Sequence, residues 1–88
     1  MDSYKLRFKT SAEKELRCIS KPHLIRIIQK IEGLSHQPRP HGAQMLKGEG
    51  RYYRLRQGDY RIVYEIDEPT KVVMIFLVRH RRDAYQEL

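Results

Sequence analysis

Between Arg51 and Ile66 apolar and polar residues alternate with a period of two, break at Gln57-Gly58-Asp59, and resume. Tyr53 and Leu55 stand against Arg54 and Arg56 before the break; Tyr60, Ile62, Tyr64 and Ile66 stand against Arg61, Val63 and Glu65 after it. Alternation on both sides of a glycine-containing turn predicts a β-hairpin. A Gln57-Gly58 loop puts Arg54 opposite Arg61, a Gly58-Asp59 loop puts Arg56 there, and the parity is the same in both registers. Arg54, Arg56 and Arg61 then share one face, while Tyr53, Leu55, Tyr60 and Ile62 share the other and pack on something apolar.

The remaining pattern supplies the packing partners. Tyr4, Leu6 and Phe8 alternate with Lys5, Arg7 and Lys9, a short strand with one apolar face. Thr10 through Glu13 form a candidate capping box opening a helix whose Ala12, Leu16 and Ile19 lie on one side, with Lys14, Glu15 and Arg17 elsewhere. Ser20 is placed to cap a second helix with Pro22 in its first turn. That helix carries a stripe of Leu24, Ile27, Ile28, Ile31 and Leu34, widened by Ile25. Ser35 to Gly42, with two prolines, is a loop, and Met45-Leu46 is expected to anchor the return to the core. After a turn at Asp67 to Thr70, the run to Val78 reads as a central strand covered on both faces, its register left open by the turn length. The predicted class is α+β: an N-terminal strand and a two-helix hairpin packed on a twisted antiparallel sheet of about four strands, in a single domain spanning 1–88.

Charge sharpens the picture. The chain has 88 residues and a formal net charge of +7, which suggests an anionic partner without identifying it. Like charges side by side in a sheet are destabilising, and Arg presents a planar fork suited to phosphate oxygens, so a three-Arg face implies a phosphate-bearing partner. Cys18 is the only cysteine, which excludes an intrachain disulfide, and His36 and His41 lack a metal-ligand spacing, so neither metal nor cofactor is expected. A charged N-terminus and the lack of a long apolar run point to a cytoplasmic protein with no membrane partner. The closing RHRRDAYQEL follows a strand whose end an antiparallel order brings near the hairpin turn, extending the basic surface.

The opening Tyr4-x-Leu6-x-Phe8, the two helices, Leu46-Lys47-Gly48, RLRQGDYRIVYEI and VRHRRDAY together resemble the RelE toxin family of the RelE/ParE superfamily, over nearly the whole chain. The resemblance implies the toxin of a type II toxin–antitoxin system, a ribosome-dependent endoribonuclease that cuts mRNA in the A site and inhibits translation. It implies catalytic roles for Arg54, Arg56, Arg61, Arg81 and Tyr85, with Arg79 and His80 as further candidates, and RNA binding by Lys47, Arg51 and Arg82. Metal-free cleavage by 2′-OH attack needs a base, anion stabilisation and an acid for the leaving 5′ oxygen. Guanidinium groups hold their protons too tightly to exchange them, so the arginines stabilise charge. Proton transfer falls to Tyr85, whose phenolate neighbouring guanidiniums favour, or to His80. Where family members often carry Lys, this chain has Arg54 and Arg56.

The implied partners are the ribosome with its mRNA and rRNA and a cognate acidic, RelB-like antitoxin, forming a hetero-oligomer in which a partly disordered segment folds over the arginine face. Two alternatives use the same fold: a ParE-like inhibitor that binds DNA gyrase without chemistry, and an inactive RNA- or antitoxin-binding domain.

Overall fold

The alternating stretch folds as read. In a computed structural model, which describes residues 3–46 and 51–80, Tyr52–Gln57 and Tyr60–Asp67 are antiparallel strands joined by a two-residue Gly58-Asp59 loop. Gly58 has φ 60, the positive value that a type II′ hairpin turn requires at its first loop position and that glycine adopts without a Cβ clash. Of the two registers the sequence allows, this loop selects the one with Arg56 opposite Arg61 and Arg54 opposite Val63.

In chain order the elements are β1 (Lys5–Phe8), α1 (Thr10–Arg17), α2 (Lys21–Gly33), β2 (Gln44–Met45), β3 (Tyr52–Gln57), β4 (Tyr60–Asp67) and β5 (Val72–His80). The sheet order is β1-β5-β4-β3-β2. It exceeds the expected strand number by the two-residue β2, and it is mixed, because β1 runs parallel to β5. A parallel neighbour needs a crossover, and the helical hairpin α1–α2 together with the β3–β4 meander is what separates β1 from β5 in the chain.

Both helices lie on one sheet face. Ala12, Ile27, Ile31 and Leu34 join Tyr53, Leu55, Ile62, Tyr64, Ile66, Val73, Ile75 and Val78 in one buried cluster. Ile25 departs from the stripe and stays half exposed, since a 13-residue helix resting on one sheet cannot turn so wide an arc inward. Met45 is exposed as well, because β2 is the sheet edge and does not dip into the core. The start of α1 also differs from expectation. Lys9 is the capping residue, without a side-chain cap, because its N–H is still held in the sheet by the Ile75 carbonyl at 2.9 Å and helical geometry begins at Thr10. Ser20 does precede α2, and Pro22 sits in its first turn.

Among the described residues β5 is covered on the helix side only; Met74, Phe76 and Leu77 are half-buried on or beside the other face. A β-bulge resolves the open register. Val63 faces Leu77 but Tyr64 faces Ile75, which leaves Phe76 as the extra residue. Met74 and Leu77, of opposite parity, thus both pair with residues on the arginine face, and Phe76 meets the Tyr52 ring edge-on at 5.5 Å.

The Ser35–Gly42 loop is tied down from within. Pro38 is buried, and its carbonyl accepts a 2.7 Å hydrogen bond from the hydroxyl of fully buried Tyr64, whose ionisation burial pushes well above the ordinary phenol range. Tyr64→Phe leaves that carbonyl without its donor, and chemical denaturation is expected to register a loss of roughly 1–2 kcal/mol. Arg39 follows in the loop; its Nε donates to the Tyr53 hydroxyl at 2.9 Å and its Nη2 lies 2.8 Å from Glu68. Glu68 also accepts from the Tyr4 hydroxyl at 2.8 Å, the largest reason its carboxyl titrates below the usual range, followed by Arg39. A depressed folded value means that this contribution is complete above the ordinary carboxylate range and is lost as pH falls through the lowered one. Glu68→Gln is therefore expected to lower the neutral plateau of the stability–pH curve slightly and to flatten its acid limb by the same small amount, the carboxylate being exposed.

Candidate functional site

Strand alternation sends Arg54, Arg56, Arg61 and Arg79 to the sheet face opposite the helices. Register then aligns three of them: Arg56 on β3 is directly across from Arg61 on β4, and Arg61 is directly across from Arg79 on β5. With strands about 4.8 Å apart, the row crosses roughly 10 Å of sheet. Arg54 flanks it two residues along β3, with its Nη2 donating to Gln44 Oε1 from the edge strand. Exposed Lys5 and Arg7 of β1, and Lys9 just beyond it, continue the basic surface; Lys9 lies over the Phe76 ring at 4.9 Å.

Arg61 is the buried member at 4 % exposure, the only charged residue in the interior among those described. It sits on the central strand β4. Arg56, exposed, stands directly across on one side of it and Arg79 on the other, so planar forks of the kind that suit phosphate oxygens line up across the strands.

One carboxylate reaches the row from an unexpected direction. Beyond the end of β1, α1 runs beside the edge of β5, where Val78 N–H has no strand to pair with. Glu15 of α1 fills that role: Oε1 accepts from Val78 N–H at 2.9 Å while Oε2 accepts from Arg79 Nε. Ser11 donates to the Phe76 carbonyl at 3.4 Å on the same edge. One side chain thereby closes the sheet edge and holds the outermost arginine of the row in place. Nothing in the helical spacing marks Glu15, since its position is off the apolar stripe and its target is 63 residues away. Glu15→Gln keeps the bond to Val78 but removes the charge; it is expected to cost about 1 kcal/mol or less in stability and to loosen Arg79, visible as side-chain Nε exchange by NMR.

The other candidates divide. Arg51 is placed 2.7 Å from Glu65 on the hairpin. His80 ends β5 opposite Tyr60, on the helix side and not among the arginines; its ring meets Tyr60 edge-on at 5.5 Å, and the Tyr60 ring is 5.6 Å from His23. Lys47, Arg81, Arg82 and Tyr85 lie outside the described residues. Among the described residues no group of three or more His, Cys, Asp or Glu side chains is arranged to hold a metal ion, and no helix is long and apolar enough to cross a membrane.

A helical hairpin on a mixed sheet with an arginine-rich face defines a class, and sequence comparison identifies it: the chain belongs to the RelE/ParE toxins, matching over residues 6–85 the family described as the ParE toxin of the type II toxin–antitoxin system, parDE. Toxin RelG of Mycobacterium tuberculosis is 31% identical over 84 residues, covering 94% of this chain and 97% of RelG. Among solved structures, the toxin–antitoxin complex RelBE2 of the same organism superposes with a TM-score of 0.78 at 30% identity, covering 90% of this chain and 99% of that one. The archaeal RelE–RelB complex of Pyrococcus horikoshii gives 0.82 at 28% identity, over 90% and 96% of the two chains.

Proposed function

We propose that this toxin is a metal-independent endoribonuclease that cuts mRNA on the ribosome, in the A site, and that an acidic antitoxin related to RelB silences it by covering the arginine face. The observation carrying this reading is the Arg56–Arg61–Arg79 row, three guanidinium groups on adjacent strands with Arg54 beside them.

In this reading the scissile phosphate lies across the row. The ribose 2′ oxygen attacks phosphorus, the bond to the 5′ oxygen breaks, and the products are a 2′,3′-cyclic phosphate and a 5′ hydroxyl. Charge grows on the nonbridging oxygens during attack, and arginines already in position stabilise it without reorganisation. Because no arginine exchanges protons readily, the 2′-OH proton goes to Tyr85 acting as its phenolate, and solvent water supplies the proton that the departing 5′ oxygen takes up. His80 is the weaker choice for proton transfer, since its side chain is on the far side of the sheet from Arg61. Requiring a 2′-OH confines the activity to RNA. The antitoxin reading draws support from the solved relatives, which are complexes of RelE with RelB.

The deciding experiment maps 5′ ends of an mRNA incubated with programmed ribosomes and wild-type, Arg61→Ala or Tyr85→Phe protein. Discrete cuts in the decoding site that vanish in both variants are expected. Uncut message in the presence of folded wild-type protein, together with inhibition of gyrase supercoiling, would establish the ParE-like binding mode instead.

A further inference from the structure

Arg79 is held differently from the arginine beside it. Burial fixes Arg61, whereas Arg79 is half-buried and its Nε donates to Glu15 of α1. The carboxylate is itself anchored, because its other oxygen accepts from the Val78 N–H at 2.9 Å. Behind it α1 is seated by fully buried Ala12, one turn earlier, and by the Ser11 hydroxyl on the Phe76 carbonyl at 3.4 Å. An anion in this place works against RNA binding, since it repels a phosphate that approaches Arg79. For closing the sheet edge alone, a neutral acceptor would serve: the Val78 N–H needs one lone pair, which a glutamine supplies. A carboxylate has an acceptor at each oxygen and a glutamine amide at one atom only, so holding the Val78 N–H and the Arg79 Nε together requires the acid.

We propose that Glu15 is a positioning residue of the nuclease site: acting through Arg79, it sets that guanidinium where charge develops on the phosphate, and in doing so it weakens the hold on uncut RNA. The proposal rests on the endoribonuclease reading and deepens it with a residue of α1 whose part is indirect. A long arginine side chain left to itself explores many rotamers, and ordering it during the reaction would add to the barrier. Ordering it beforehand, against a helix seated on the sheet edge, moves that entropy loss into folding. Only interactions stronger in the transition state than in the ground state speed the chemical step. The two effects of Glu15 fall on opposite sides of that division, its charge disfavouring bound substrate and its grip on Arg79 favouring the transition state. Loss of the acid is therefore expected to lower kcat and KM together. A general loss of folding lowers kcat with KM unchanged, and a simple gain of positive charge lowers KM with kcat unchanged.

The test measures rates of mRNA cleavage over a range of programmed-ribosome concentrations for the wild type, Glu15→Gln and Glu15→Asp, with Glu15→Gln repeated in an Arg79→Ala background. Glu15→Gln is expected to lower kcat about ten- to a hundredfold and KM about two- to fivefold. Glu15→Asp keeps the charge on a stem too short to span both donors, so its kcat should fall with KM near the wild-type value. In the Arg79→Ala background Glu15→Gln is expected to add no further loss of kcat, because its effect runs through that guanidinium. Ser11→Ala, which removes the other contact of α1 to this edge, should leave kcat unchanged. Wild-type kcat in Glu15→Gln, an undiminished loss in the Arg79→Ala background, or a loss matched by Ser11→Ala and by a fall in thermal midpoint would each overturn the assignment. If the wild type cuts no message, the nuclease reading fails by itself, and the Arg79 Nε signal is followed by NMR during titration with inorganic phosphate. A sharp signal that broadens in Glu15→Gln while phosphate binds more tightly would retain the positioning role; equal signals in the two proteins would reject it.

Discussion

Arg61→Ala is expected to remove growth arrest and ribosome-dependent cleavage while the protein stays folded. Arg61 is the centre of the row, within one strand spacing of both Arg56 and Arg79. Deleting one preorganised charge partner of a transition state typically lowers the rate by about 10²–10³-fold. Burial at 4 % means that packing around the aliphatic stem is lost as well, a stability cost of about 1–3 kcal/mol that leaves the domain folded. Arg61→Lys separates charge from geometry: it retains the cation and gives up the planar fork, so partial activity is expected. Growth curves on induction, paired with thermal melts of each purified variant, provide the check. A folded Arg61→Ala protein that arrests growth as strongly as the wild type would sink the assignment.

Ile75→Ala is expected to cost the most stability of any single truncation considered. Ile75 is fully buried in β5, with Phe8 beside it on β1 and Tyr64 beside it on β4, so it lies where the parallel and antiparallel halves of the sheet meet under the helices. Truncating a buried isoleucine costs about 2–5 kcal/mol through lost transfer energy and the cavity left behind. Small domains have only about 5–15 kcal/mol in total, so the urea midpoint should fall steeply with little change in slope. Ile25→Ala, the same chemistry at a half-exposed position, is expected to stay within about 0.5 kcal/mol. Equal losses at the two positions would mean that α2 packs through a different face from the one described.

How far each element could be read depended on whether its pattern was local. The hairpin was legible because a period of two and a glycine turn are short-range signals, and with them the shared face of Arg54, Arg56 and Arg61. The helix stripe was legible for the same reason, apart from Ile25, whose exposure depends on how the helix rotates against the sheet. The bulge at Phe76 was not. Nothing in VVMIFLV distinguishes an inserted residue from regular strand, because the irregularity arises from matching β5 to both β4 and β1. The direction of β1 was equally hidden, since a strand of alternating residues looks the same whichever way its neighbour runs.

The amino-acid sequence alone determined the class of fold and the arginine-bearing face, because both follow from periodicity and residue type along short stretches, and it carried the toxin family through the resemblance of motifs spread over nearly the whole chain. Tertiary structure alone decided the rest. It lined up Arg56, Arg61 and Arg79 by cross-strand register, turned His80 away from them by alternation, and brought Glu15 to Arg79 around an unpaired edge. Those juxtapositions join residues far apart in the chain, and their geometry is set by how sheet and helices pack, which no local pattern encodes.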